Sequence, residues 1–153
     1  MTEHLDHANV KIHPPVLLLL HIVAAFLLNW LVPLALPRSF EWSGYILVLV
    51  GVGLAFSAVS QFGKMNTPLD PHRAVNAIVT NGPYRFSRNP IYLGFVCTLI
   101  GLPLALGNYW GAALSPVLVI LMGLLVIKYE EAYLEEKFKD VYTNYKSRVR
   151  RWL

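Results

Sequence analysis

The chain has 153 residues, of which 56% are hydrophobic and 14% charged, and its formal net charge is +4. An average soluble domain carries about 25% charged residues, so this composition excludes an ordinary soluble protein and indicates a single membrane domain. The single cysteine, Cys97, excludes an internal disulfide and a cysteine-rich zinc site.

The N-terminal segment, MTEHLDHANVKIH, is mixed in charge and is not typical of a secretory signal. Its histidines, His4, His7 and His13, follow no compact metal-binding spacing. We therefore expect a solvated tail and no metal site.

Four apolar stretches predict an all-α membrane protein, because a spanning helix needs about 20 mostly apolar residues. The first two predicted spans cover residues 16–36 and 42–62. In the second, small residues such as Gly44, Gly51 and Gly63 indicate close packing against a neighbouring helix. The third and fourth spans, residues 91–106 and 110–127, are joined by three residues and must form an antiparallel hairpin.

The basic residues predict the orientation of these spans. All but one of the 13 Lys and Arg residues lie before the first span, in the 63–90 loop, or after the fourth span. Arg38 is the exception. By the positive-inside rule, both termini and the 63–90 loop are expected on the cytosolic side, as in a bacterial inner membrane or its equivalent.

A C-terminal amphipathic helix is predicted over residues 128–149. Its apolar face carries Leu134, Phe138, Tyr142 and Tyr145, and at 100° per residue Glu131 falls on that same face. A buried carboxylate is expensive unless it is paired. The hairpin brings the start of the third span beside the end of the fourth, so we expect GPYRFSRNPIYLGF, residues 82–95, to meet Glu130 and Glu131.

These segments, in this order, resemble the isoprenylcysteine carboxyl methyltransferase family, which belongs with the phospholipid methyltransferases among integral-membrane enzymes. The shared pattern is Gly-Pro-Tyr, then Arg-His-Pro-x-Tyr-x-Gly, a hydrophobic hairpin, a Glu-Glu pair, and spaced Phe, Tyr and Tyr. It covers roughly residues 79–153, about half of the chain. Two positions depart from it: Asn89 replaces the family histidine, and Lys139 stands where a glycine often follows the tail phenylalanine.

The resemblance implies S-adenosyl-L-methionine as the cofactor and places site residues on this chain. Catalytic roles would fall to Arg88 and Glu131. The cofactor-binding set would be Tyr84, Asn89, Pro90, Tyr92, Leu93, Gly94, Glu130, Glu131, Tyr142 and Tyr145.

The chemistry of these residues agrees with that cofactor. Carboxylates bind ammonium groups and hydroxyls strongly, and tyrosine faces attract a sulfonium. Asn89 can donate and accept hydrogen bonds but does not titrate near neutral pH. We therefore expect a positioning role at that residue and no proton transfer.

The predicted function is methyl transfer to a lipophilic acceptor in the bilayer, as in an isoprenylcysteine carboxyl O-methyltransferase. A carboxylate acceptor needs only a cation such as Arg88 or Arg148 to orient it. A phosphatidylethanolamine-type amine is an open alternative and needs a proton acceptor, for which Glu131 is the candidate. A sterol-reductase-like NADPH enzyme and a non-catalytic membrane scaffold are further alternatives.

Three polar residues lie outside this pattern. His21 and Asn29 lie within the first span, where one helix–helix hydrogen bond would explain either, and His72 is expected in the loop. We expect no nucleic-acid partner. The sequence does not predict the oligomeric state.

Overall fold

The computed structural model describes residues 7–34, 37–69 and 73–153, and this part of the chain is helical without any strand. The α-helices, in chain order, are α1 (Pro14–Leu31), α2 (Glu41–Lys64), α3 (Pro90–Ala105), α4 (Trp110–Met122), α5 (Lys128–Phe138) and α6 (Asp140–Arg148). Short 3-10 helices cover Arg38–Phe40 and Gly82–Arg85, and a π-helical turn, Gly123–Ile127, joins α4 to α5.

Three helical stretches among the described residues are long and apolar enough to cross a membrane. They are α1, α2 and the continuous run Trp110–Phe138. The apolar α3 has 16 residues, which at 1.5 Å per residue is shorter than the roughly 30 Å hydrocarbon core. The structure confirms an all-α membrane protein, while a count of four full spans stays a prediction.

Helices α2 and α3 pack with their backbones in contact. A Cβ atom on Gly94 would lie 2.6 Å from the carbonyl oxygen of Gly51, and one on Gly44 would lie 2.2 Å from the backbone nitrogen of Ala105. This confirms the close packing predicted for Gly44 and Gly51. The prediction is wrong for Gly63, whose Cβ position has no neighbouring atom within 4 Å.

The α3–α4 connection forms the predicted tight hairpin. The amide of the fully buried Asn108 donates to the carbonyl of Ala25 in α1 (3.1 Å), and its Oδ1 accepts from the backbone N–H of Trp110 (2.9 Å). One side chain thus binds the first backbone N–H of α4 and ties the turn to α1.

The N-terminal tail is not solvated over its described part, contrary to expectation. Ala8 and Val10 are buried in the core between α1 and the π-helical turn. The backbone N–H of Lys11 donates to the carbonyl of Leu125 (3.1 Å), and its ammonium group lies 5.7 Å from the Tyr129 ring centre. The apolar positions of this short segment have too little periodicity for sequence reasoning to predict their burial.

The prediction of a single C-terminal helix over residues 128–149 is wrong, because the helix is interrupted at Lys139. This residue adopts φ 47° and ψ −123°, outside the helical region. Glu135 of α5 forms an ion pair with Lys146 of α6, and a straight helix would separate these residues by about 16 Å. The break therefore folds α6 back toward α5.

Candidate functional site

A cleft lies where the start of α3, the helices α5 and α6 and the loop residues 68–69 and 75–79 meet. Its cavity volume is about 130 Å³, and it is partly open to solvent. Most of the predicted site residues line it: Tyr84, Arg88, Asn89, Tyr92, Glu130, Glu131, Tyr142 and Tyr145.

Glu130 and Tyr92 connect two walls of the cleft. The Tyr92 hydroxyl donates to Oε1 of Glu130 over 2.6 Å, which joins α3 to α5. This contact confirms the expectation that residues 82–95 meet the glutamate pair. The π-helical turn immediately before α5, which sequence reasoning missed, shifts the register of the helix just ahead of Glu130.

Glu131 is buried and receives two guanidinium groups. Its Oε1 lies 2.9 Å from Nη2 of Arg88 and accepts from Nε of Arg151 (3.2 Å), while its Oε2 accepts from Nη2 of Arg151. The expectation that a buried carboxylate here must be paired is met. The same bonds occupy both oxygens, so Glu131 is engaged in holding the arginines.

Arg88 is buried at the cleft wall, with a side chain only 9% exposed. Its Nη1 donates to the backbone carbonyl of Lys146 (3.3 Å), and its Nη2 pairs with Glu131. Its Nε is buried without a hydrogen-bond partner among the described residues. An unsatisfied buried donor is costly, and the Arg88 side chain that carries it lines the cleft.

The C-terminal residues form a strap across the base of the cleft. The backbone N–H of Arg88 donates to the carbonyl of Arg150 (3.0 Å). The carbonyl of Arg151 accepts from the Ser87 hydroxyl (3.2 Å) and from the Asn89 amide (3.0 Å). Asn89 therefore binds the strap, which agrees with a positioning role.

Sequence reasoning missed Ser87 and Arg151 as parts of the site. The predicted catalytic and cofactor-binding sets included no residue of the basic ending KSRVRRWL. The burial expected for the Glu131 carboxylate indicated that a cation must pair with it, but the sequence pattern did not indicate which cation.

Three tyrosines line the side of the cleft near α6. The Tyr145 hydroxyl donates to the backbone carbonyl of Tyr84 (2.7 Å), and Tyr142 is 2% exposed. Burial raises the pKa of Tyr145 to about 12, although the Arg88 cation opposes the shift. Burial also raises the pKa values of Tyr84 and Tyr142. All three phenols are thus neutral at physiological pH and act as hydrogen-bonding or packing groups.

The remaining wall is apolar, and its individual residues were not among the predicted site residues. It comes from residues 68–69 and 75–79, and the Val75 N–H donates a hydrogen bond to the Tyr133 hydroxyl (3.2 Å). Its apolar lining residues include Leu69, Val75, Ile78 and Val79. A largely apolar cleft with a few convergent polar groups is typical of a small-molecule site.

Three residues of the predicted cofactor set, Pro90, Leu93 and Gly94, do not line the cleft. Pro90 is the first residue of α3, and Gly94 packs on Gly51 of α2. Leu93 is half-buried on α3. Their expected cofactor contacts stay predictions, whereas their positions explain how α3 begins and packs.

The other polar candidates lie elsewhere. His21 bonds through Nδ1 to the carbonyl of Leu17 in its own helix (2.8 Å), and Asn29 accepts from the N–H of Leu34 (3.2 Å). Neither lines the cleft. His72 lies outside the described residues.

Comparison with known proteins gives one family match. The model for phospholipid methyltransferases matches residues 40–141. This range contains α2, α3, α4 and α5 and the glutamate pair, and it ends before Tyr142, Tyr145 and the strap.

Several curated proteins are similar to the chain. The protein-S-isoprenylcysteine O-methyltransferase of Schizosaccharomyces pombe is 28% identical over 127 residues, which cover 82% of this chain and 52% of that protein. Protein-S-isoprenylcysteine O-methyltransferase A of Arabidopsis thaliana is 31% identical over 108 residues, covering 69% and 55%. An uncharacterized protein of Haemophilus influenzae is 38% identical over 63 residues, which cover 41% of this chain and all of that protein.

The chain spans about half the length of the curated methyltransferases that it matches. No solved structure matches it significantly.

Proposed function

Because the chain belongs to the phospholipid methyltransferase family, we propose that it transfers a methyl group from S-adenosylmethionine to a lipophilic carboxylate. Its relatives named protein-S-isoprenylcysteine O-methyltransferase support this choice of acceptor chemistry. The observation that carries the proposal is the guanidinium of Arg88, which lines the cleft and is held there by Glu131 over 2.9 Å.

The cleft residues fit the cofactor. When bound, S-adenosylmethionine supplies an electrophilic methyl group on a sulfonium. Glu130 offers a carboxylate to an ammonium or to ribose hydroxyls, and the neutral rings of Tyr142 and Tyr145 offer faces to a cation. Glu130 accepts a hydrogen bond from the Tyr92 hydroxyl, whereas Glu131 is occupied by two arginines. We therefore assign ligand binding to Glu130 and positioning of Arg88 to Glu131.

The polar and apolar walls of the cleft together suit an amphiphilic acceptor. A carboxylate would pair with the guanidinium of Arg88, and the apolar wall formed by residues 68–69 and 75–79 would contact an apolar chain. Methyl transfer to a carboxylate requires no base, so the alignment of methyl donor and acceptor would provide most of the rate acceleration. An amine acceptor would need a proton acceptor, and Glu131, the candidate from the sequence, has both oxygens engaged.

We place the cleft on the cytosolic side of the membrane. The distribution of Lys and Arg residues supports this orientation. The cofactor would then enter from the cytosol, and the acceptor from the bilayer.

Titration calorimetry with S-adenosylhomocysteine tests cofactor binding. We expect binding to the purified chain, and at least a tenfold loss of affinity in Glu130→Gln, because a charge-assisted bond contributes about 1.5–3 kcal/mol. Glu136→Gln is the matched control, since Glu136 is exposed on α5 and does not line the cleft.

Absence of binding at millimolar ligand would contradict the proposal. Binding of NADPH without S-adenosylhomocysteine would favour a reductase. Binding that is unchanged in Glu130→Gln would show that Glu130 does not bind the cofactor.

A further inference from the structure

A second groove lies on the outer surface of the α4–α5 run, away from the cleft. Its floor is Gly123, in the π-helical turn, and its sides include Ile120 and Leu124, each 58% exposed. A Cβ atom on Gly123 would meet nothing within 4 Å. The groove is therefore an open apolar channel on a helix long enough to span the membrane.

Two cations and an indole close one end of this groove. Lys128 is exposed and lies one helical turn after Leu124, and Arg151 and Trp152 reach the same end from the strap. The Arg151 side chain is 43% exposed. Its Nε and Nη2 donate to Glu131, which fixes the guanidinium and leaves the Nη1 amino group for another acceptor.

The cationic end lies at the depth of a lipid headgroup. Lys128 follows Trp110 by 18 residues, which at 1.5 Å per residue is about 27 Å along the helix. The hydrocarbon core is about 30 Å thick, so Lys128 reaches the interface. Trp residues also favour that level of the bilayer.

We propose that this groove binds an anionic phospholipid. The phosphodiester accepts hydrogen bonds from Lys128 and Arg151, and one acyl chain lies over Gly123 between Ile120 and Leu124. The positive charge at the end of the groove that holds Lys128 and Arg151 favours an anionic lipid over a neutral one, since each Lys or Arg near the surface contributes about 1 kcal/mol to the binding of anionic lipid. The site is separate from the proposed methyl transfer, because none of the residues that line the groove lines the cleft. Arg151 of the groove contacts the cleft through its bonds to Glu131 and Asn89.

Native mass spectrometry of the detergent-solubilised protein tests this proposal. The chain is titrated with phosphatidylglycerol and, separately, with phosphatidylcholine of the same acyl chains. We expect preferential retention of phosphatidylglycerol. Lys128→Ala should reduce that retention about fivefold, the equivalent of one surface cation, and Gly123→Leu should reduce it by filling the groove.

Two control variants match these changes away from the groove. Lys64→Ala removes an exposed lysine at the end of α2, and Gly53→Leu adds the same side chain at another glycine with open space around it. Both controls should retain phosphatidylglycerol as the unmodified chain does. Gly123 has helical φ −60°, so its substitution adds no backbone strain.

Equal retention of the two lipids by the unmodified chain would overturn the proposal. Retention that is unchanged in Lys128→Ala would overturn it as well, whether or not Gly123→Leu folds. A loss of equal size in the controls would show a general effect of charge or bulk and would also contradict the site.

Discussion

Replacement of Glu131 by glutamine should destabilise the protein more than any other single carboxylate-to-amide change in α5. Glu131 has an 8% exposed side chain and holds Arg88, which is itself 9% exposed. Removing one partner of a buried ion pair costs about 3–5 kcal/mol, because the other charge is left uncompensated. The lower end, about 3 kcal/mol, applies here because glutamine keeps one acceptor oxygen and Arg151 is half-exposed.

Thermal unfolding in detergent measures this loss. For a chain of this length, 1 kcal/mol corresponds to about 2–4 °C in the midpoint, so Glu131→Gln should lower it by roughly 6–12 °C. Glu135→Gln is the control, because the Glu135–Lys146 pair is more than a third exposed on both sides. Exposed pairs contribute about 0–1 kcal/mol.

A midpoint for Glu131→Gln that equals that of Glu135→Gln would refute this reasoning. The arginine–carboxylate network would then be dispensable, and Glu131 would not be a positioning residue.

Two further substitutions test the packing that forms the site. Lys139→Gly should stabilise the chain by about 1 kcal/mol, because φ 47° with ψ −123° is strained for a residue with a Cβ. The control Lys137→Gly, inside α5, should destabilise the chain by a similar amount. A destabilising Lys139→Gly would contradict the assigned strain. Gly94→Ala should cost about 1–3 kcal/mol by forcing α3 away from Gly51, whereas Gly53→Ala, in open space, should be neutral or slightly stabilising in the same unfolding assay.

The main geometry of the site could be predicted from the hairpin alone. Two spans joined by three residues must be antiparallel, and this places Arg88 and Tyr92 opposite the glutamate pair. Both contacts are present, from Tyr92 to Glu130 and from Arg88 to Glu131. The lengths of the apolar stretches and the short connection between them were sufficient to predict these contacts, because they determine which helix ends lie side by side whatever the exact side-chain packing.

The C-terminal part could not be predicted by the same means. A constant 100° per residue assumes an unbroken helix, and neither the π-helical turn nor the break at Lys139 has a strong sequence signal. A lysine gives no indication of positive φ, although the family glycine at this position is consistent with it. The partner of Asn89 is a backbone carbonyl 62 residues away, and side-chain patterns do not reveal backbone acceptors.

The central claim is methyl transfer to a lipophilic carboxylate, and isotope labelling tests it most directly. Membranes with and without the protein are incubated with methyl-deuterated S-adenosylmethionine, and the lipid-soluble products are analysed by mass spectrometry before and after mild base. We predict a protein-dependent label that base releases as methanol, as for a methyl ester, and that falls sharply in Arg88→Lys, which lacks the guanidinium fork. A protein-dependent label that resists base would contradict the carboxylate acceptor and favour an amine, and the absence of any protein-dependent label would contradict the account as a whole.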